Sequence, residues 1–119
     1  MVNLASRSRG RWGERRAAAH YRALGFEIVA LNWRSPVREL PGELDLVVER
    51  EGLLVFCEVK ARQSSGYGGA ARAVDEVKQE RIRALAAAWL AGSDRDDVDV
   101  RFDVIAIDGV TLTHLESAF

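Results

Sequence analysis

The spacing of apolar positions marks most of the elements of the chain. Ala17, Ala18, Tyr21 and Leu24 recur at helical spacing, which predicts a helix from about Trp12 to Leu24, and Gly25 stands where a left-handed residue would end it. Residues 26–33, FEIVALNW, are rich in β-formers and predict a strand that Ser35, Pro36 and Pro41 close off. Two further strands lie within residues 42–62, GELDLVVEREGLLVFCEVKAR, joined at Glu51-Gly52, a pair suited to a tight hairpin. Residues 63–70, QSSGYGGA, have the composition of a flexible loop. Asp75 is placed to cap a helix that runs to about Ala91, with Ile82, Leu85, Ala86, Trp89 and Leu90 on one face and Gly92 at its end. After an acidic SDRDD linker, DVRFDVIAI predicts a strand, Asp108-Gly109 a turn, and VTLTHL a short final strand. The order helix, three strands, helix, two strands predicts an α/β domain.

The hairpin register gives this pattern its chemical content. With a two-residue loop at Glu51-Gly52, Leu44 faces Val59, Leu46 faces Cys57 and Val48 faces Val55, making one apolar face. The other face pairs Val47 with Phe56, Asp45 with Glu58 and Glu43 with Lys60, opposed side chains lying about 5 Å apart at Cβ. A slip of one residue would set Leu44 against Glu58 and break the apolar face. Two carboxylates opposed across a ladder repel unless something positive lies between them. Lys60 offsets part of that repulsion, and a divalent cation, which prefers carboxylate and water oxygens, would offset more. A bare Glu-x-Lys is better read as a surface ion-pair cluster, but Leu54 and Phe56 on the same face predict cover by a helix, hence a cleft.

Glu14 lies three, four and seven residues before Ala17, Ala18 and Tyr21, on the stripe that faces the sheet. Its plainer reading is a helix-start glutamate favoured by the helix dipole. Lys78, one turn before Ile82, and Gln79 begin the second helix; a solvated first turn is the plainer reading there.

Composition bounds the class. A chain of 119 residues, 48% hydrophobic, can bury one core, so residues 1–119 are read as a single domain with a flexible start over 1–10. The longest apolar run, Ala84 to Ala91, is too short for a bilayer, and no apolar signal segment precedes the early arginines. The expectation is a cytoplasmic protein with no membrane contact. The single cysteine, Cys57, lies in an apolar strand and reads as a small buried hydrophobe. His20 and His114, the only histidines, are far apart and form no paired metal motif. Formal net charge is −1, but unevenly spread: residues 1–40 carry eight arginines against Glu14, Glu27 and Glu39, and the remainder is acidic. Such asymmetry can set a phosphate-attracting surface beside a metal-attracting one.

An acidic residue on one strand followed by Glu-x-Lys on the next resembles the PD-(D/E)xK nuclease pattern, with Asp45, Glu58 and Lys60 in the named places. More closely, GERRAAAHYRALGFEIVALNWR, GELDLVV, LLVFCEVKAR, the glycine-rich loop, VKQERIRALAAAWL, RFDVIAI and HLESAF are similar in order and spacing to the YraN family of small bacterial proteins, described as endonuclease-like by likeness to Holliday junction resolvases and restriction enzymes. The proline often found before the first aspartate of the nuclease pattern is absent, Leu44 preceding Asp45. The resemblance implies a restriction-endonuclease-like core, a mixed central sheet flanked by helices. It implies Mg²⁺ or Mn²⁺ held by Asp45, Glu58 and the backbone carbonyl of Val59, with Lys60 orienting water or stabilising charge on a scissile phosphate, and Glu14 completing the site. Glu43 would be a supporting or second-metal carboxylate, Arg62 a phosphate contact and Gln79 a positioner of water. The expected partner is nucleic acid, DNA above all, branched or damaged, with Arg7, Arg9, Arg11, Arg15 and Arg16 contacting phosphates; a homodimer follows only by analogy with resolvases. The competing expectation, favoured by the near-neutral charge, is a non-catalytic module that keeps the nuclease fold and binds nucleic acid or a protein partner.

Overall fold

The computed structural model describes residues 4–62 and 74–119, with side chains from Arg11 to Ala61 and from Val74 onward. The chain order is α1 (Leu4–Ala23), β1 (Glu27–Arg34), β2 (Glu43–Arg50), β3 (Leu53–Arg62), α2 (Glu76–Ala91), β4 (Asp99–Asp108) and β5 (Thr111–Leu115), the predicted succession. The predicted loop over 63–70 lies outside the described residues. Helix α1 begins at Leu4 rather than near Trp12; its first two turns, LASRSRGR, carry no apolar stripe from which helical spacing could be read. Gly25, at φ 89°, ends it, with Phe26 N–H donating to the Tyr21 carbonyl at 3.0 Å. Asp75 caps α2, its carboxylate accepting from the Lys78 N–H at 2.9 Å.

The five strands lie in sequence order across one sheet, antiparallel except that β3 and β4 run parallel. A parallel step cannot be made by a hairpin, so α2 serves as the crossover. Alternate strand residues feed two cores. Ala17, Ala18 and Tyr21 of α1 pack on Leu46, Val48, Val55, Cys57, Ile105 and Ile107. Ile82, Leu85 and Ala86 of α2 pack on Val47, Leu54 and Phe56, the helix cover expected over that face. Cys57 is buried, as read from its strand, and burial pushes its thiol up. No helix among the described residues is long and apolar enough to cross a membrane.

Glu51 and Gly52 both adopt positive φ, 48° and 81°, as a two-residue hairpin turn requires. The register is the predicted one from Arg50↔Leu53 to Leu46↔Cys57. One prediction fails here: Leu44 does not join Leu46, Cys57 and Val59 on the α1 side but packs in the α2 core. The pairing of β2 with β3 ends at Leu46, while β2 stays paired with β1 through Trp33↔Leu44 and Arg34↔Glu43. The expected cross-strand pairs Asp45–Glu58 and Glu43–Lys60 are therefore not ladder partners, because β2 turns away from β3 at Asp45.

Candidate metal centre

The cause of that divergence is a side chain. Val59 N–H, which a continued ladder would give to a β2 carbonyl, donates instead to Asp45 Oδ2 at 3.0 Å. A carboxylate has taken the place of backbone, and the strands part around it. In an extended strand a residue's N–H and C=O point to the same neighbour, so the Val59 carbonyl faces the same gap. Asp45 and Glu58 still meet, their carboxyls in hydrogen-bonding contact.

Helix α1 adds a third acid. Gly13 lies so close to the sheet that an added Cβ would stand 2.9 Å from Ala61 Cβ and 3.6 Å from a Val59 methyl; the missing side chain brings the next residue, Glu14, down to the gap. Glu14, Glu43 and Asp45 each place one carboxylate oxygen within 4.8 Å of the others. Glu43 is also held at 3.2 Å by the exposed Arg34. Asn32 escaped the sequence reading. Flanked by Leu31↔Leu46 and Trp33↔Leu44, it sits across from Asp45 at φ 50° and hydrogen-bonds Glu14. The available signal was an amide residue, tolerant of left-handed backbone, inside an apolar strand.

The electrostatics are those of crowded like charges. Burial, then the Glu58 charge, pushes Asp45 up to about 8 against the Val59 N–H. Below that pH Asp45 keeps a proton. Burial also raises Glu14, with the charges of Glu43 and Glu58 adding to it and the Asn32 hydrogen bond opposing. Glu58 is buried and pairs with Lys78 Nζ at 2.7 Å. Lys60 lies against Lys78, and burial together with that second ammonium lowers it. For Lys78 the balance is reversed: burial lowers it, but the hydrogen bond to Glu58, the contact with Lys60 and the charges of Glu58 and Asp45 together outweigh burial and raise it. Lys78, read as most simply a solvated first-turn residue, is thus inside the cluster. The donor set is all hard oxygen, confined and mutually repelling, and fits Mg²⁺ or Mn²⁺.

The remaining predicted residues divide. Gln79 donates to the Val74 carbonyl at 3.3 Å and so serves the start of α2. Arg11 and Arg15, with Arg22, line a groove of about 280 Å³ beside Glu14, Leu31 and Asn32. Arg16 points elsewhere, donating to the Val110 carbonyl at 2.7 Å and lying over Trp12. The side chains of Arg7, Arg9 and Arg62 lie outside the described residues. The two histidines, unpaired in sequence, touch: His20 Nε2 lies 3.0 Å from His114 Nδ1. His114 Nε2 in turn lies 2.7 Å from the fully buried Asp103, which also accepts from Tyr21, both nitrogens of the Arg101 fork and the Ser117 N–H. With both ring nitrogens of His114 engaged, this is a structural network joining α1, β4 and β5.

Relatives place the chain. A profile of the uncharacterised protein family UPF0102 matches residues 13–107, which includes Glu14, Asp45, Glu58, Lys60 and Lys78. A UPF0102 protein of Frankia casuarinae is 49% identical over 115 residues, covering 92% of this chain and 94% of its own. One from Frankia alni is 44% identical over the full length of both chains, and one from Rhodococcus jostii 49% identical over 82% of this chain and 80% of its own. The chain belongs to UPF0102, the YraN family.

Proposed function

We propose that the protein is a metal-dependent phosphodiesterase acting on nucleic acid, with DNA the expected substrate and Mg²⁺ or Mn²⁺ the expected ion. The observation that carries this reading is the meeting of Glu14, Glu43 and Asp45 oxygens within 4.8 Å at the point where β2 leaves β3, with Glu58 and Lys60 beside them. Glu14, Glu43 and Asp45 would hold the ion, with Glu58 and the Val59 carbonyl adjoining. When bound, a divalent ion supplies a more acidic water and polarises the phosphate. Lys60 brings an ammonium to the same gap, where it favours negative charge that grows on a phosphate. The groove of Arg11, Arg15 and Arg22 leads to Glu14 and suits a phosphate backbone.

The test is cleavage of linear, nicked and four-way DNA with Mg²⁺, Mn²⁺ or EDTA, run beside Asp45→Asn and Lys60→Ala. Cleavage should require the ion. Lys60→Ala should lower it by about a hundredfold or more, as loss of one such electrostatic group does, while divalent binding survives. Asp45→Asn should lose the binding itself. Cleavage unchanged in both variants would mean a contaminating nuclease. No wild-type cleavage on any substrate, with DNA binding retained, would favour the non-catalytic module, which the overall net charge of −1 also suits.

A further inference from the structure

The carboxylate cluster contains a cation of its own. Lys78 Nζ lies 2.7 Å from Glu58 Oε1, and the two side chains are 30% and 6% exposed. This is no loose surface pair. Asp75 fixes the first turn of α2 by accepting the Lys78 N–H at 2.9 Å, and Ile82, one turn on, is buried in the core, so the backbone that carries Lys78 is held over Glu58. Lys60, next along β3 on the same face, lies against Lys78, which sets two ammonium groups beside one buried carboxylate. Glu58 draws both ammonium groups, and Lys78 takes the hydrogen bond to it.

We propose that the Lys78 ammonium is a built-in competitor for the metal: it neutralises Glu58 in the ion-free protein, and a divalent cation must draw Glu58 away from it to complete its site. This inference rests on the reading of the cluster as a metal centre. Both cations seek the same oxygen, so each ion bound leaves one ammonium without its partner. The four-carbon stem of lysine lets that ammonium swing toward another anion, and a nucleic-acid phosphate arriving by the arginine groove is the anion at hand. Ion and phosphate then assist one another: phosphate takes up Lys78, and Glu58 becomes free for the ion.

The experiment is Mn²⁺ titration by calorimetry of the full chain as wild type, Lys78→Met and Glu58→Gln, without nucleic acid. Lys78→Met keeps the stem and removes the charge. It should bind Mn²⁺ about tenfold more tightly than wild type, the scale of one charged hydrogen bond lost by the competitor, whereas Glu58→Gln should bind more weakly. Equal or weaker binding by Lys78→Met, with wild-type binding intact, overturns the proposal and leaves the metal centre standing. Absence of Mn²⁺ binding in every protein, wild type included, overturns both. A second measurement needs no variant: the rate at which an amine-reactive reagent labels Lys78 in wild type, read by mass spectrometry. Labelling should rise several-fold when Mn²⁺ is added. A rate unchanged or lowered by the ion contradicts displacement.

Discussion

Asp45 is held up to about 8 by burial and by Glu58, far above the ordinary carboxylate value near 3.9. Two outcomes follow from the sign of that shift. Because the folded state binds this proton more tightly than the unfolded chain, the ionised residue costs stability, and the cost grows as pH rises from about 4 to about 8. Asp45→Asn should therefore raise the melting temperature of the metal-free protein at pH 8 to 9, by the equivalent of about 1 kcal/mol or more, and change it little near pH 4. If Asp45 holds the ion, metal binding must expel the same proton. Calorimetric Mn²⁺ affinity should climb by up to about tenfold per pH unit between pH 6 and 8 and then level off; an affinity flat across that range would place the ion away from Asp45.

Elements carry a different lesson. The hairpin of β2 and β3 was legible because its information is local: Glu51-Gly52 fixes the loop and the apolar alternation fixes the register. The parting of the strands at Asp45 was not, since an alternation rule assumes that the ladder continues and cannot foresee a side chain replacing a backbone acceptor. Leu44 changed sides for that reason. Glu14 was legible by its place on the α1 stripe, whereas the depth of Lys78 depended on how α2 crosses the sheet. The network around Asp103 was hidden altogether, because its members Tyr21 and His114 come from α1 and β5 and meet only in the fold. Burial raises Asp103, but Arg101, His114, Tyr21 and the Ser117 N–H together hold it below its ordinary value. Its charge thus stabilises the fold fully above about pH 4, and that stability is lost as pH falls through the lowered value. Asp103→Asn should cost about 3 kcal/mol or more by urea unfolding at pH 7, the scale for breaking a buried ion pair. The difference from wild type should narrow below pH 4.

At the scale of the whole molecule, Arg11, Arg15 and Arg16 of α1 point in two directions. Arg11 and Arg15 are exposed beside the Glu14 groove, and Arg16 is spent on the Val110 carbonyl. If DNA follows the groove, Arg11→Ala and Arg15→Ala should each weaken binding and reduce the slope of log affinity against log salt by about 1. Arg16→Ala should leave that slope unchanged and lower stability slightly instead. Equal slopes for all three variants would place the nucleic acid elsewhere. The helix that bears these arginines rests on the sheet through Gly13, and that contact governs the reach of everything α1 carries. Alanine at this position would favour the helix by up to about 1 kcal/mol, yet its methyl would meet Ala61 Cβ at 2.9 Å, an overlap costing about 1–3 kcal/mol. The overlap wins, and the helix must ride higher. Gly13→Ala should then weaken Mn²⁺ binding and DNA binding together, although it alters no charge and no ligand. The spacing between two layers, set by a hydrogen atom where any other amino acid would bring carbon, is as much a part of the site as its carboxylates.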